Sequence, residues 1–284
     1  MKIHAIDGTL GAEVSDFDLS TVPQPGDIAA LRAALEQHHL LVFTAQALTP
    51  AEHIAFSRHF GRLYVSTRSQ SADWPELVIF GNAAPEAAAF APPQGGDADL
   101  EWHADHSYFR QIAKHGLLYG REVPPEGGDT LFCNTTAAYA DLPEATKLRL
   151  AGLRAIHSQA QLMEFHRTTD PTMPPIPPAQ LAEMPEAAHH IAHVHSDTGR
   201  TSLLLGSKNI RHIDGMTRAD SQALLEELES FATSDRYLYR HRWRQGQLLM
   251  WDNQAVAHAA TFYDRSRHAR LMQRTTILIE DSAA

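Results

Sequence analysis

The sequence predicts a mainly β fold with flanking helices, of the β-sandwich or jelly-roll type. Three observations predict it. From residue 100 onward, short apolar runs recur between turn residues, as LLYG, TLFC, RAIHS, HIAHVHS, TSLLLG, YLYRHRW, QLLMWD and RTTILIE, the spacing of an antiparallel β fold. Helical stretches interrupt them only near 135–150 and 217–232. No internal repeat and no linker-like composition divides the 284 residues, so one domain over 1–284 is expected.

The N-terminal third reads as mixed α/β. Asp27 can cap a helix over IAALRAALEQHH, because Ile28, Leu31 and Leu35 fall on one face. LLVF at 40–43 and LVIF at 77–80 read as short buried strands. Thr49-Pro50-Ala51-Glu52 is a capping box with proline at the first helical position, and Gly61 closes that helix. Two stretches rich in proline, 83–99 and 168–185, read as loop or lid excursions.

Composition excludes several classes. The formal net charge of -10 argues against binding nucleic acid or an anionic membrane surface. No apolar run approaches the roughly 20 residues of a membrane helix, and the start MKIHAIDGTLGAEV lacks a signal-peptide core. The single Cys133 leaves no intramolecular disulfide and fits a reducing cytoplasm. Histidine is abundant, at 18 residues, and most of these must be surface or packing residues.

Four constellations carry chemistry. In Trp102-His103-Ala104-Asp105, a strand would put His103 and Asp105 on one face, able to reach one divalent metal. An isolated His-X-Asp pair is weak, so a second histidine is needed. His258, beyond the strand QLLM and a Trp-Asp-Asn turn, is the best candidate. Two His and one carboxylate leave positions open on the metal, as in the facial triad of non-haem Fe(II) oxygenases. Arg270 and Arg274, four apart before and within TTILIE, would share a strand face, and arginine suits bidentate carboxylate recognition. The alternative is a solvated basic edge with Arg265, Arg267 and His268. Gly127-Gly128-Asp129-Thr130 reads locally as a hairpin turn.

Together these blocks resemble the taurine dioxygenase/2,4-dichlorophenoxyacetate dioxygenase family, which comprises Fe(II)- and 2-oxoglutarate-dependent oxygenases. The resemblance runs through LLVFTAQALTPAEHIAFSRHFGRL, EWHADHSY, VPPEGGDTLFCNTTAAYADLP, VHSDTGRTSLLLG, YRHRWRQGQLLMWDNQAVAHAATFYD and RLMQRTTI. CNTTAAYADLP and YRHRW look closer to the aryloxyalkanoate branch than to the sulfonate branch. The resemblance implies a double-stranded β-helix, with Fe(II) held by His103, Asp105 and His258. It implies that Thr130 and Arg270 bind the distal carboxylate of 2-oxoglutarate and that Arg274 holds the anionic group of a small organic substrate. His195 matches a position near that substrate. One departure shows: the step from His258 to Arg270 is 12 residues, one longer than the family pattern, so the loop FYDRSRH carries an insertion.

The implied reaction consumes O2 and 2-oxoglutarate, releases succinate and CO2, and hydroxylates a C–H bond. A homo-oligomer, dimer or tetramer, is implied by resemblance only. Tyr108 is expected on the ligand face, where it can line the cavity, while alternation puts His106 and Trp102 on the opposite face. His38, His39, His53, His59, His212 and His241 read as surface or packing residues, His189, His190 and His193 have no ligand-like spacing, and Glu226, Glu227 and Glu229 read as a solvated helix face. Two alternatives stay open. One is a biosynthetic oxygenase with the same cofactors, performing desaturation or isonitrile formation on an amino-acid-derived carboxylate. The other is a non-catalytic jelly-roll protein that binds a metal or small ligand.

Overall fold

Alternation along a few strands decides the layering. In β3 (Leu40–Phe43), Leu41 and Phe43 enter one core cluster while Leu40 and Val42 enter another. The computed structural model describes residues 1–65, 73–83, 100–169 and 175–279. Among these, β1 (Lys2–Ala5), β2 (Ala12–Ser15), β3, β4 (Val78–Gly81), β5 (Ala113–Glu122), β13 (Leu248–Asp252) and β15 (Leu271–Leu278) form a seven-stranded sheet in the order β1-β2-β3-β13-β5-β15-β4. A second sheet has the order β12-β6-β14, from β6 (Thr130–Asn134), β12 (Leu238–His241) and β14 (Val256–Ala260). Phe132 and Val256 of this sheet pack against Leu40, Val42, Leu249, Trp251 and Met272 of the larger one. Two sheets closing on a shared apolar layer make the expected jelly roll.

Helices cover the outer face of the large sheet. Leu41, Phe43, Leu117, Leu248, Met250 and Ile277 pack there against α1 (Pro25–His38) and α2 (Pro50–Arg58). In α2 the capping box is present: the Thr49 hydroxyl accepts from Glu52 N–H, and the Glu52 carboxylate accepts from Thr49 N–H at 2.7 Å. The first helix starts two residues before Asp27. Its cap is Gln24, and the Asp27 carboxylate reaches back to accept the Gln24 N–H at 3.2 Å, so Asp27 caps from inside the first turn.

The remaining elements form an annex. It holds α3 (Thr135–Asp141), α4 (Glu144–Leu150), β7 (Arg154–Ser158), α5 (Gln159–Thr169), α6 (Pro178–Ala182), β8 (Glu186–His190), β9 (Ala192–Val194), β10 (Thr201–Leu203), β11 (Ile210–Ile213) and α7 (Arg218–Ala232). Its strands pair as β11-β7-β8 and β10-β9. The run HIAHVHS therefore does not form one strand: it breaks at Ile191, which is fully buried. The helix α5 escapes the sequence reading, as does α6 within the proline-rich stretch. Of the two proposed lids, residues 84–99 and 170–174 lie outside the described residues.

One turn differs in kind from its sequence reading. The GGDT segment is not a hairpin, because β5 and β6 belong to different sheets and the turn carries the chain between them. Gly127 and Gly128 both take left-handed φ, 70° and 66°. A Cβ on Gly127 would lie 2.5 Å from the Phe262 carbonyl oxygen. The glycines let the chain turn tightly over the β14 end and deliver Thr130 to the start of β6.

Candidate metal and co-substrate centre

His103 and Asp105 do not lie in a strand. His103 makes an isolated antiparallel bridge to His258, with N–H to carbonyl bonds of 3.0 and 2.9 Å in the two directions. The chain then enters a turn in which His106 takes φ 60°. The expected alternation therefore fails beyond Asp105, so no strand face is defined for Tyr108. His103 and Asp105 still converge, because the bridge sets the first and the turn swings the second back. With His258 on β14, their ligand atoms all lie within 4.8 Å of one another. Nε2 of His103 is 3.9 Å from Asp105 Oδ1, and Nε2 of His258 is 3.8 Å from Asp105 Oδ2.

Each ligand is oriented differently. His103 Nδ1 donates to the Glu101 carbonyl at 2.8 Å, which leaves Nε2 as the free donor atom. The His258 ring stacks at 24° on Phe132 and lies 4.9 Å from Trp251, so packing rather than a hydrogen bond holds it. Asp105 is held by its main chain. Asn253 Oδ1 accepts the Asp105 N–H at 2.8 Å, and Asn253 Nδ2 donates to the carbonyls of Asp105 at 3.0 Å and Ala113 at 2.9 Å. The Asn253 side chain thus ties the Asp105 turn to the β13–β14 turn that leads to His258.

The electrostatics favour a cation among these three. Burial alone would raise the Asp105 pKa, but the Arg274 guanidinium, then His258 and His103, hold the carboxyl well below the usual range. Burial, reinforced by His103, pushes His258 down to about 3, so its imidazole is neutral and able to donate a lone pair. Arg274 Nη1 occupies Asp105 Oδ1 at 2.7 Å, while buried Oδ2 has no hydrogen-bond partner. Two imidazole nitrogens and an anionic carboxylate with one orphaned oxygen fit a divalent first-row metal.

Arg270 lies under the GGDT turn. It is 4 % exposed, its Nη2 donates to the Gly128 carbonyl at 3.4 Å, and its guanidinium sits 5.7 Å from the Tyr263 ring centroid. Burial lowers its pKa to about 10, which still leaves it charged at neutral pH. Among the described residues no carboxylate pairs with it, and its buried Nε has no partner. A buried cation without a counter-charge is costly unless an anion meets it. Thr130, 4 % exposed, begins the strand two residues beyond Gly128. Arg274 lies over the Phe80 ring at 4.7 Å. Arg270 lies one residue before β15 and Arg274 within it, and the extra residue where the β15–β5 register shifts between Leu271 and Met272, Arg121, is on β5.

These features coincide with a family-wide match. The model of the family described as "Taurine catabolism dioxygenase TauD, TfdA family" matches residues 2–276. The chain belongs to this family. It is 32% identical over 274 residues to an alpha-ketoglutarate-dependent 2,4-dichlorophenoxyacetate dioxygenase of Burkholderia sp. (strain RASC), covering 93% of this chain and 90% of that protein. It is 31% identical over 285 residues to an (S)-phenoxypropionate/alpha-ketoglutarate-dioxygenase of Sphingobium herbicidovorans, covering 97% and 94%. Among solved structures, AAD-2 in complex with Mn(II) and N-oxalylglycine superposes with a TM-score of 0.82 at 26% identity, covering 99% of this chain and 98% of that one. The protein is thus an Fe(II)/2-oxoglutarate-dependent dioxygenase with a jelly-roll fold, using Fe(II), 2-oxoglutarate and O2.

Other expected residues fall elsewhere. Both ring nitrogens of His195 are taken by the protein. Nε2 meets Asp252 Oδ2 at 2.8 Å, and Nδ1 accepts the N–H groups of Asp197 and Thr198 at 3.1 and 3.3 Å. His195 therefore organises the 195–200 turn and has no ring nitrogen left for a ligand. Tyr108 joins an aromatic group with His106, Phe109 and Tyr64, next in sequence to Asp105. His106 is buried in that group, and Trp102 packs with Leu131, Cys133 and Ala257. His39, His53 and His241 are buried, as packing residues. Glu226 and Glu227 are exposed, but Glu229 turns inward and accepts from Ser207 N–H and Oγ at 3.0 and 2.9 Å. Sequence reasoning missed Asn253, Glu101 and His166, the last two paired at 2.6 Å beside His103. Only the adjacency of Asn253 and Glu101 to the metal motifs signalled them.

Proposed function

We propose that the protein hydroxylates a C–H bond of a small carboxylate, with aryloxyalkanoates as the substrate class. His103, Asp105 and His258 hold Fe(II). Thr130 and Arg270 take the distal carboxylate of 2-oxoglutarate, and Arg274 takes the anionic group of the primary substrate. The observation that carries this reading is the pair of arginines, Arg274 bonded to the Asp105 carboxylate and Arg270 buried under the Gly127–Gly128 turn with no carboxylate among the described residues. A metal-binding protein without catalysis has no need of that second anion site. Bound iron supplies the oxidative chemistry, which decarboxylates 2-oxoglutarate to succinate and CO2 and delivers one oxygen atom to the substrate carbon.

The chain's own residues position the reactants and exclude water. Arg274 anchors the substrate anion close to Asp105, which fixes how far the reacting carbon stands from the metal. His106, Tyr108 and Phe109 lie on and just after the turn past Asp105, with the Tyr64 ring packed against His106 and Phe109, and together they offer an apolar wall suited to an aryl group. Hydroxylation at a carbon bearing an ether oxygen gives a hemiacetal, which collapses to a phenol and a carbonyl. The kinship with aryloxyalkanoate dioxygenases favours this class over sulfonates. A homo-oligomer is part of the same proposal and rests on the resemblance, and a cytoplasmic location rests on the single Cys133.

Oxygen uptake dependent on 2-oxoglutarate should be stimulated by aryloxyacetates or aryloxypropionates. The panel should also contain alkyl sulfates, sulfonates and N-substituted amino acids. Stimulation by one of these others alone would remove the aryloxyalkanoate assignment. Stimulation by none, with no 2-oxoglutarate consumed, would remove the catalytic one.

A further inference from the structure

We propose that Trp243 is a positioning residue for 2-oxoglutarate, acting by forcing the Thr130 hydroxyl to donate. The inference rests on the assignment of Thr130 and Arg270 to the co-substrate carboxylate. Trp243 Nε1 donates to Thr130 Oγ1 at 3.0 Å. An indole N–H is a donor only, so the direction of this bond has no alternative. A threonine hydroxyl has one proton and two lone pairs. With one lone pair committed to Trp243, the remaining proton must find an acceptor elsewhere. Among the described residues Thr130 Oγ1 has no other hydrogen-bond partner. A carboxylate accepts only, so it is the ligand group this hydroxyl suits.

The indole is held where it is by the fold. Trp243 is 8 % exposed and belongs to the cluster of Phe132, Trp251 and Met272 between the two sheets. Its ring meets the His241 ring edge-on at 4.7 Å. His241 in turn pairs with Thr130 across β12 and β6. On the other side the ring lies against Gly120 of β5, where a Cβ would come within 3.0 Å of Trp243 Cε3. Thr130 is thus fixed by its backbone on both flanks, through His241 and Ala260, and by Trp243 at its side chain. Arg270 adds charge over the same turn, and the two devices divide the work. The guanidinium attracts the carboxylate, and the pre-set hydroxyl orients it.

The test is a double-mutant cycle read by calorimetric binding of 2-oxoglutarate to the Mn(II)-loaded protein. Thr130→Val should weaken binding about 10- to 100-fold, the loss expected for a hydrogen bond to a charged group. Trp243→Phe should weaken it about 3- to 10-fold in the unaltered protein, as for a single neutral hydrogen bond. In the Thr130→Val background it should weaken it no further. Mn(II) affinity should stay unchanged throughout. If Trp243→Phe weakens binding equally in both backgrounds, the indole is packing only and the inference fails. It fails too if Trp243→Phe is without effect while Thr130→Val weakens binding. If Thr130→Val itself changes nothing, the co-substrate assignment falls instead. Should Trp243→Phe not fold, Trp243→benzothienylalanine keeps the ring shape, lacks the N–H and must give the same cycle.

Discussion

Replacing Asn253 with alanine removes all three hydrogen bonds that its side chain makes to the main chain of Asp105 and Ala113. Asn253 is 1 % exposed, so water does not readily replace them. The Asp105 carbonyl keeps a bond from Ala113 N–H at 3.2 Å, but the Asp105 N–H loses the acceptor that Asn253 Oδ1 provides. One orphaned buried donor costs about 1–3 kcal/mol, and two weakened acceptors add about 1 kcal/mol each, so a loss of roughly 3–5 kcal/mol in stability is expected. The metal should feel it as well, because outer partners of a ligand typically contribute about 10- to 100-fold in affinity. Denaturant unfolding measures the first effect and Co(II) titration the second. Asn253→Asp sharpens the test. It keeps the acceptor for Asp105 N–H but sets an oxygen against two carbonyl oxygens, and it should be at least as damaging. A stability change below about 1 kcal/mol with unaltered metal affinity would refute the reasoning.

Three further expectations follow from the site and the buried titratable groups. Arg274→Ala should raise KM for the anionic substrate about 10- to 100-fold, the worth of a charge-assisted bond, with KM for 2-oxoglutarate nearly unchanged; equal rises in steady-state kinetics would mean that the two arginines have exchanged roles. His39, His115 and His241 are pushed down to about 4, and His53 and His157 to about 3, all chiefly by burial. The unfolded chain therefore takes these protons first, so their stability contribution is intact above about pH 6.5 and is lost as pH falls toward 4. At pH 5 each contributes about 2 kcal/mol of loss, and the group approaches the whole stability of an ordinary domain, about 5–15 kcal/mol; circular dichroism should show cooperative unfolding above pH 4, and a native signal persisting there would contradict it. Cys133 is fully buried and its thiol is pushed up to about 12 by burial, so a maleimide should label it only after denaturation.

The parts legible in the sequence were those where local chemistry decides. The Thr49 capping box and the apolar runs of β3 and β13 depend on neighbours within a few residues. The family blocks also brought His103, Asp105, His258 and Arg270 to attention, because metal and carboxylate chemistry restricts which side chains can serve. Where the reading failed, a distant contact had overridden a local rule. His103-Ala104-Asp105 looked like a strand, but its pairing partner lies at His258 and the pairing stops after one bridge. His195 was placed near the substrate by resemblance, but Asp252, 57 residues away, takes one nitrogen and the turn it organises takes the other.

The motifs, through their resemblance to the family, therefore indicated the class of chemistry: a two-histidine, one-carboxylate donor set with arginines for anions, on a mainly β chain. The abundance of histidine said little, since several histidines are buried, neutral packing groups. Only tertiary structure decided how the donors converge and what holds them. The Asn253 clamp on Asp105, the Phe132 stack under His258 and the Trp243 bond to Thr130 join residues 113 to 148 positions apart in sequence. No periodicity reaches across such separations, because burial and hydrogen-bond satisfaction are settled only when the sheets close on one another.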